Sequence, residues 1–381
     1  MARPVGASEF VTSAFLSLDQ LRARARELGL DAGASAAPPG PEQARLLEWL
    51  DEGHHAEMRW LERDPERRAD PRRVLDGARS VVSLSMNYFV PLPEPPSDRA
   101  VGRIARYALG DDYHDVLLDK VKALAATLPD DLARYYVDTG PVLEKPRAQR
   151  AGLGWVGKHT NCVSRGDGSW WFIGDIITRA EIEPSEPHQD RCGTCTRCLD
   201  VCPTKAIRSD RPYSLDARLC ISYLTIEHRG PIPRELRPLI GTWIYGCDLC
   251  LDVCPWNKFA EPTREARLQP RDALVHPPLE ELLGWDQATF SRVMKGSPIK
   301  RTKRRGLLRN VCVALGNAGD RGAVPTLART LEAEPEPLVR GHAAWALGAL
   351  GGDDARAALE RGRSDADPYV VEEVEAALAA L

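Results

Sequence analysis

The chain has 381 residues, of which 43% are hydrophobic and 28% are charged, and its formal net charge at pH 7 is -4. This length allows two or three domains with separate cores, and the composition is ordinary for a globular protein. No apolar run approaches the ~20 residues that span a bilayer. The N-terminal residues contain neither an apolar signal core nor a twin-arginine pair. We therefore expect a cytoplasmic protein with no membrane partner.

The first half of the chain alternates helical and strand patterns. The pattern of residues 17–30 predicts an amphipathic helix with a serine N-cap and a terminal glycine, and residues 116–128 have helical periodicity. Residues 81–86 and 134–138 are predicted strands. This alternation indicates an α/β or α+β domain up to about residue 183. The Pro-rich segment 184–187 is a predicted linker to the region that follows.

Eight of the ten cysteines fall between residues 192 and 254, in two runs that each end in Cys-Pro. In two-cluster ferredoxins, three closely spaced thiolates hold one cubane, and the Cys before Pro ligates the other cluster. The spacing predicts one 4Fe–4S cluster on Cys192, Cys195, Cys198 and Cys254, and a second on Cys220, Cys247, Cys250 and Cys202.

Two simpler interpretations of these cysteines remain. A zinc site would need only two Cys-x-x-Cys pairs and has no use for a repeated Cys-Pro ending. Disulfides are not expected in a chain without a secretory context. The remaining two cysteines, Cys162 and Cys312, lie among apolar neighbours and are predicted to be small buried hydrophobic residues.

The last eighty residues contain an internal repeat. Residues 307–319 and 339–351 share an apolar-x-x-x-Ala-Leu-Gly pattern at an offset of 32 residues. A helical repeat of this length predicts a short stack of HEAT-like helix pairs. The alternative is an ordinary helical tail whose similarity arose by chance.

A basic window overlaps the start of this repeat. Residues 287–319 contain no acidic residue but eight cationic ones, which are Arg292, Lys295, Lys300, Arg301, Lys303, Arg304, Arg305 and Arg309. Most such runs are solvated surface. Because repeat stacks usually present an extended binding face, this run indicates contact with a polyanion such as nucleic acid.

Two segments of the first domain are candidates for chemistry. Asp138 follows an apolar strand and precedes a turn, where capping the turn would be its simplest role. Residues 151–160 are glycine-rich, which permits close backbone approach to a ligand, and Lys158 there could meet a phosphate. This glycine pattern is neither a Walker nor a dinucleotide fingerprint.

Several long motifs resemble the epoxyqueuosine reductase family of cobalamin-dependent iron–sulfur enzymes, which complete queuosine formation in tRNA. They include Val137-Asp-Thr-Gly-Pro-Val-Leu-Glu-Lys-Pro146 and Cys220-Ile-Ser-Tyr-Leu-Thr-Ile-Glu-His228. Further matching segments are residues 106–114, 151–164, 168–174 and 245–250. The similarity covers about residues 17–262, and a C-terminal HEAT segment is common in the family.

The resemblance implies an α+β fold with three parts. Residues 1–183 would form a nitroreductase-like cobalamin-binding domain and residues 184–263 a ferredoxin-like domain with two clusters. Residues 264–381 would form a linker and HEAT-like repeats. Cobalamin would bind base-off without a protein ligand to cobalt, which agrees with Leu117 standing where a His-ligated cobalt motif requires Gly after His114. Matched positions that would contact the corrinoid are Arg68, Lys158, Ser222 and Asp248.

The implied reaction removes the epoxide oxygen of epoxyqueuosine at the wobble position of tRNA, the final step of queuosine biosynthesis. Asp138 matches the general acid of the family, and burial is expected to raise its pKa enough for that role. His159 is the alternative proton donor. The tRNA backbone is predicted to contact Lys300, Arg301, Lys303, Arg304 and Arg305. We also expect an unidentified low-potential electron donor and a monomeric enzyme.

Two other functions compete with this one. A reductive dehalogenase would share the cobalamin domain and the twin clusters, but such enzymes typically carry a twin-arginine signal and are not expected to have a basic HEAT tail. A non-catalytic electron carrier would leave the N-terminal domain and Asp138 without a role.

Overall fold

A computed structural model describes residues 15–381 of the chain. Within this range the strands are β1 Phe15–Leu16, β2 Asp31–Ala36, β3 Ser80–Asn87, β4 Arg103–Ile104, β5 Arg134–Tyr136, β6 Trp155–Val156, β7 Cys162–Val163, β8 Trp171–Thr178, β9 Glu181–Ile182 and β10 Trp243–Tyr245. The α-helices of the first part are α1 Leu18–Glu27, α2 Glu42–Asp51, α3 Pro65–Ala69, α4 Tyr113–Ala125 and α5 Glu144–Arg150.

The cysteine-rich part contains the short helices α6 Arg197–Val201, α7 Ile221–Ile226, α8 Arg237–Ile240 and α9 Leu249–Asp252. The C-terminal part contains α10 Leu279–Leu283, α11 Gln287–Val293, α12 Lys303–Ala318, α13 Val324–Ala333, α14 Pro337–Leu350, α15 Asp353–Gly362 and α16 Pro368–Ala379. None of the helices in residues 15–381 is long and apolar enough to cross a membrane.

The first predicted helix forms as its sequence indicates. Ser17 accepts a hydrogen bond from the backbone N–H of Gln20, and the Gln20 side chain accepts one from the backbone N–H of Ser17. This capping box satisfies two N–H groups that the helix itself leaves unpaired. Gly29, at φ +72°, allows the chain to turn after α1, since a left-handed φ costs glycine little.

A four-stranded antiparallel sheet with the order β2-β3-β8-β5 forms the centre of the first part. Its two middle strands are almost wholly buried, because both faces of the sheet are covered. Val82 and Leu84 join a core that includes residues of α1 and α4, while Val81 faces a second, smaller core. Because successive side chains of a strand point to opposite faces of the sheet, β3 contributes to two cores, one on each face.

The predicted strand at 134–138 ends two residues early. β5 stops at Tyr136, and Asp138 has φ +56°, which a strand does not accommodate. The chain turns closely here, since a Cβ on Gly140 would lie 2.2 Å from the ring of Tyr136. The turn lifts Asp138 out of the sheet.

The C-terminal helices α12 to α16 form the predicted stack. The repeated Leu-Gly positions lie where helices approach closely. A Cβ on Gly316 would be 2.7 Å from the ring of Trp345 in α14, and one on Gly348 would be 2.8 Å from Ala377 in α16. Glycine at these points lets α12, α14 and α16 pack side by side.

The three parts of the chain share cores. β4 pairs in parallel with β10, which joins the first part to the cysteine-rich part. Ile104 and Leu109 belong to the same hydrophobic core as the C-terminal helices. The segment 184–187 is not a free linker, because Ser185 exchanges two hydrogen bonds with the backbone of Ala34. The predicted domain boundaries stay predictions.

Candidate active site

The eight clustered cysteines form two groups that cross the two sequence runs. Burial first, and then the thiols of Cys192, Cys195 and Cys254, raise the pKa of Cys198 to about 11. Burial and the thiols of Cys220, Cys247 and Cys202 likewise raise the pKa of Cys250. The second group therefore consists of Cys202, Cys220, Cys247 and Cys250, which line one cavity. We call the first group the outer quartet and the second the inner quartet. This grouping matches the crossed pattern predicted from the spacing.

Each quartet surrounds an open space. The outer quartet lines a pocket of about 370 Å³, and the inner quartet lines part of a cavity of about 1290 Å³. Among residues 15–381, no three His, Cys, Asp or Glu side chains converge where a single ion could be held. All ten cysteines are free thiols. Cys162 and Cys312 are buried, as predicted.

Asp138 lies at the large cavity with its side chain 58% exposed. Tyr113, at the start of α4, donates a hydrogen bond of 2.5 Å from its hydroxyl to Oδ2 of Asp138. The Nε2 atom of His114 lies 3.7 Å from the same oxygen, while Nδ1 of His114 is 2.7 Å from Oδ1 of Asp112. The backbone N–H of Asp138 donates to Oε1 of Glu144 at 2.7 Å. The turn after β5 and the N-terminus of α4 therefore build one acid–base group.

The expected rise in the pKa of Asp138 is wrong. Enclosure by the cavity favours the neutral acid even though the side chain is 58% exposed, but the nearby His114, the hydrogen bond from Tyr113 and the charge of Lys145 outweigh it, so the pKa of Asp138 is lowered. His114 is affected in the opposite way. Although burial lowers the pKa of an imidazole, Asp112 and Asp138 raise the pKa of His114 to about 9. A proton is therefore held on the pair at neutral pH, mainly by His114.

His159, the alternative donor, is buried and neutral. Burial and the charge of Lys145 lower its pKa to about 4. Its Nδ1 accepts a hydrogen bond from the backbone N–H of Asn161, and its Nε2 lies 3.5 Å from the hydroxyl of Ser169. The proposal that His159 donates a proton near neutral pH is wrong for this reason.

The four predicted corrinoid contacts separate into two pairs. Arg68 and Ser222 line the large cavity, and Nη1 of Arg68 donates to the carbonyl of Gly140 at 3.1 Å. Lys158 and Asp248 are not among the residues that line it. Asp248 is 3% exposed and accepts a 2.7 Å hydrogen bond from the backbone N–H of Arg106.

The glycine-rich segment 151–160 makes structural contacts within the protein. Lys158 donates from Nζ to the carbonyls of Gly193 and Cys195, at 2.7 and 2.9 Å, and so holds the loop of the outer quartet. A Cβ on Gly154 would lie 2.2 Å from the carbonyl oxygen of Val163, so this glycine serves close packing between backbone segments. The expected phosphate contact of Lys158 has no counterpart in this geometry.

The basic window is less uniform than its sequence indicates. Arg304 makes a two-pronged ion pair with the nearly buried Glu334, at 2.8 and 2.7 Å, and Arg301 pairs with Glu227 at 2.7 Å. Arg309 is 1% exposed and donates to three backbone carbonyls. Although the window itself contains no acidic residue, carboxylates from elsewhere in the chain therefore neutralise Arg301 and Arg304, and Arg309 has a structural role.

Lys300 and Arg301 nevertheless line the large cavity. Lys300 and Lys303 are exposed and Arg305 is half-buried, and none of the three is ion-paired with any of residues 15–381. These positions remain the candidates for contact with a polyanion.

Sequence reasoning missed the pairing of His114 with Asp138. The sequence presents His114 only as a possible cobalt ligand, a role that the neighbouring Leu117 rules out. The available signal was the occurrence of His114 and Asp138 in two separate motifs of the same family resemblance. Their contact depends on the packing of α4 against the sheet.

Three family models match the chain. The model described as "Epoxyqueuosine reductase QueG, DUF1730" matches residues 68–139, and a 4Fe-4S double cluster binding domain matches residues 191–257. HEAT repeats match residues 302–379. The predicted repeat stack and the iron–sulfur domain are thereby confirmed.

Curated relatives cover most of the chain. An epoxyqueuosine reductase of Xanthomonas campestris is 40% identical over 337 residues, which is 86% of this chain and 94% of the relative. That of Salmonella typhimurium is 41% identical over 344 residues, covering 87% of this chain and 89% of the relative.

Solved structures agree with this similarity. An epoxyqueuosine reductase bound to an epoxyqueuosine-modified tRNA-Tyr stem loop has a TM-score of 0.89 and 30% identity, covering 95% of this chain and 98% of that one. A Bacillus subtilis epoxyqueuosine reductase, whose catalytic aspartate loop is swung out of the active site, has a TM-score of 0.88 and 31% identity with the same coverage. The α+β fold class is confirmed, and the chain belongs to the epoxyqueuosine reductase family of oxidoreductases.

Proposed function

We propose that this chain reduces epoxyqueuosine to queuosine at the wobble position of tRNA. The reaction removes the epoxide oxygen as water, leaves an alkene in the cyclopentane ring, and consumes two electrons and two protons. One observation carries the proposal: the inner quartet and the Asp138–His114 pair line the same cavity. A source of single electrons and a source of protons therefore meet at one place.

The cavity suits a large cofactor. Its volume of about 1290 Å³ exceeds the roughly 300–1,000 Å³ of ordinary small-molecule sites. The Nε atom of Arg68 is buried without a hydrogen-bond partner among residues 15–381. Arg68 and Ser222 would hold base-off cobalamin here. When bound, this cofactor would supply a metal that accepts electrons from the adjacent iron–sulfur cluster and reacts with the strained ring.

Asp138 would deliver the proton to the leaving oxygen. Because its own pKa is lowered, Asp138 depends on His114 for a proton at neutral pH. Tyr113 and Glu144 fix the carboxylate and its backbone by hydrogen bonds of 2.5 and 2.7 Å. Held in this way, the Asp138–His114 pair would act as a proton donor that carries one transferable proton at neutral pH.

The tRNA substrate is inferred from the family and from the cations beside the cavity. A relative of similar fold binds a modified tRNA stem loop. Sequence-specific recognition of RNA usually takes place at unstacked loop bases, so the modified base would enter the cavity while Lys300 and Lys303 meet the backbone. A tRNA substrate would place the enzyme in the cytoplasm.

Replacing Asp138 with Asn tests the proposal. Turnover of epoxyqueuosine-containing tRNA should fall by about 10²-fold or more, since general acids typically contribute that much. Corrinoid absorbance after anaerobic reconstitution and affinity for tRNA should remain unchanged. Asp131→Asn, at an exposed position without an ion pair among residues 15–381, is the matched control.

Other outcomes would point to the competing functions. Near-normal turnover of Asp138→Asn would remove Asp138 from the mechanism. Wild-type protein that binds a corrinoid but not tRNA would indicate a corrinoid enzyme acting on small molecules. Protein that binds no corrinoid would indicate an electron carrier.

A further inference from the structure

The outer quartet opens on a surface pocket of its own. Cys192, Cys195 and Cys254 are partly exposed there, and only Cys198 is buried. The inner quartet instead faces the large cavity, which the substrate has to enter. Cys198 of the outer quartet packs in one apolar cluster with Cys202 and Cys250 of the inner quartet. Electrons that arrive from another molecule therefore have their shortest route through the outer quartet.

The rim of this outer pocket is cationic, although the whole chain has a net charge of -4. Its lining contains Lys158, Arg191, Arg197 and Lys258 and no carboxylate. Lys158 is occupied by the backbone carbonyls that it holds. The other three are exposed, and none is ion-paired with any of residues 15–381. These three cations are free to meet a partner.

Three acidic side chains lie close to this pocket without lining it. Asp200 accepts a hydrogen bond from the hydroxyl of Thr196 at 2.8 Å. Asp252 is paired with Arg106 at 2.5 Å. The third of these acidic side chains, Asp190, accepts hydrogen bonds from the hydroxyl of Tyr213 and from the backbone N–H of Cys192, at 2.5 and 2.8 Å. Of these three carboxylates, Asp252 alone is offset by an ion pair within residues 15–381. The three free cations therefore exceed the two remaining carboxylates by one positive charge.

An exposed aromatic side chain lies among the free cations. Phe259 is 49% exposed, and the Nζ atom of Lys258 lies 4.7 Å from the centre of its ring. Trp256 packs against Phe259 with ring centres 6.0 Å apart. An aromatic anchor within a charged rim is the usual composition of an interface with another protein.

We infer that Arg191, Arg197, Lys258 and Phe259 form the docking face for an acidic one-electron carrier protein. At each encounter one electron leaves the reduced carrier, which is oxidised, and enters the cluster of the outer quartet, which is reduced. Two encounters supply the two electrons of the reaction. The inference rests on the double-cluster domain and does not require the substrate to be epoxyqueuosine.

The experiment uses the holoenzyme and an acidic flavodoxin as the probe. Arg191, Arg197 and Lys258 are replaced together by Glu, and the control carries Arg99→Glu, Lys122→Glu and Arg356→Glu at exposed positions outside ion pairs among residues 15–381. Binding of oxidised flavodoxin at low ionic strength should weaken on the order of tenfold in the first variant, and its salt dependence should flatten. The control should bind as the wild type does.

Stopped-flow reduction gives a second readout. Reduced flavodoxin should reduce the clusters of the first variant more slowly, while the small cation of reduced methyl viologen should react at the wild-type rate or faster. Phe259→Ser should weaken flavodoxin binding without changing its salt dependence. If the triple variant loses iron, Arg197→Gln with Lys258→Gln serves in its place.

Three results would overturn the inference. Unchanged flavodoxin binding would mean that this face is ordinary solvated surface. Loss of tRNA affinity with unchanged flavodoxin binding would assign the face to nucleic acid. Slower reduction by both reductants, with unchanged flavodoxin binding, would mean that the cations affect only the reduction potential of the cluster. A failure of epoxyqueuosine turnover leaves all these readouts intact, so it is distinguishable from a failure of this inference.

Discussion

The ionisation of Asp138 is tied to that of His114, because the imidazole lies between Asp138 and Asp112. With a His114 pKa of about 9, the pair holds a proton at neutral pH and loses it as the pH rises through that value. Single-turnover rates of the wild type should therefore fall above about pH 9. A pH–rate profile that measures the chemical step checks this expectation.

Replacing His114 with Gln should move that alkaline limb to lower pH. The imidazolium stabilises the charged form of Asp138, so without it the proton must come from a lone carboxyl group whose pKa lies well below 9. We expect a shift of about one pH unit or more. Tyr113→Phe is the control, since it removes one hydrogen bond from Asp138 but keeps the imidazole. An identical limb in His114→Gln and wild type would separate His114 from proton supply.

At the scale of elements, α6 shows how much the cysteine pattern determines. Cys198 lies in this short helix and Cys202 caps its C-terminus, yet the two belong to different quartets. Anaerobic wild-type protein should hold about eight irons, four in each predicted 4Fe–4S cluster. Cys198→Ala and Cys202→Ala should each disturb a different cluster in electron paramagnetic resonance spectra. Loss of the same cluster in both variants would contradict the crossed assignment.

Local patterns predicted the elements that depend on nearby residues. The serine N-cap of α1, the 32-residue repeat and the cysteine spacing are each marked by a recognisable pattern of residue types, and the structure contains the N-cap, the helix stack and the two cysteine groups. The pKa of Asp138 could not be predicted in this way, because it depends on His114 from another element. The partner of Arg304 likewise lies 30 residues away, on a different turn of the repeat stack.

A buried ion pair fastens the repeat stack to the cysteine-rich part. Arg237 of α8 donates two hydrogen bonds to Glu373 of α16, at 2.7 and 2.8 Å, and the side chains are 1% and 4% exposed. Glu373→Ala should cost roughly 3–5 kcal/mol of stability, because it leaves a buried guanidinium unpaired. Urea unfolding followed by circular dichroism measures this loss.

The neighbouring Glu372 provides the control for that change. It is 70% exposed and pairs with the half-exposed Arg234 at 2.9 Å. Glu372→Ala should cost less than about 1 kcal/mol, as exposed pairs usually do. Equal losses in the two variants would mean that burial of the Arg237–Glu373 pair contributes nothing to its strength.

At the scale of the whole molecule, the sites are arranged in an order that leads from a surface pocket to the large cavity. The outer quartet opens at the surface, the inner quartet lies at the large cavity, and Lys300, an unpaired cation of the basic window, lines that cavity too. Shared cores join the first part, the cysteine-rich part and the repeats. Under the proposed function, the start of the repeat stack would hold the tRNA backbone in a fixed position relative to Asp138.

The unpaired cations should grip the tRNA backbone without reading its sequence. A Lys or Arg side chain that binds a phosphate releases counterions, so removing one such cation should lower the slope of log affinity against log salt by about 0.7 to 0.9. Replacing Lys300, Lys303 and Arg305 by Ala should weaken binding of all tRNAs and flatten this slope, as filter-binding or fluorescence titrations at several salt concentrations would show. Preference for the modified anticodon should remain, since under the proposed function the cavity and not these cations would recognise that base. Arg301→Ala and Arg304→Ala should change the slope less, because Glu227 and Glu334 already neutralise these side chains. The control is a second triple variant with Arg99→Ala, Lys122→Ala and Arg356→Ala. If the slope of the first triple variant equals that of this control, tRNA docks elsewhere.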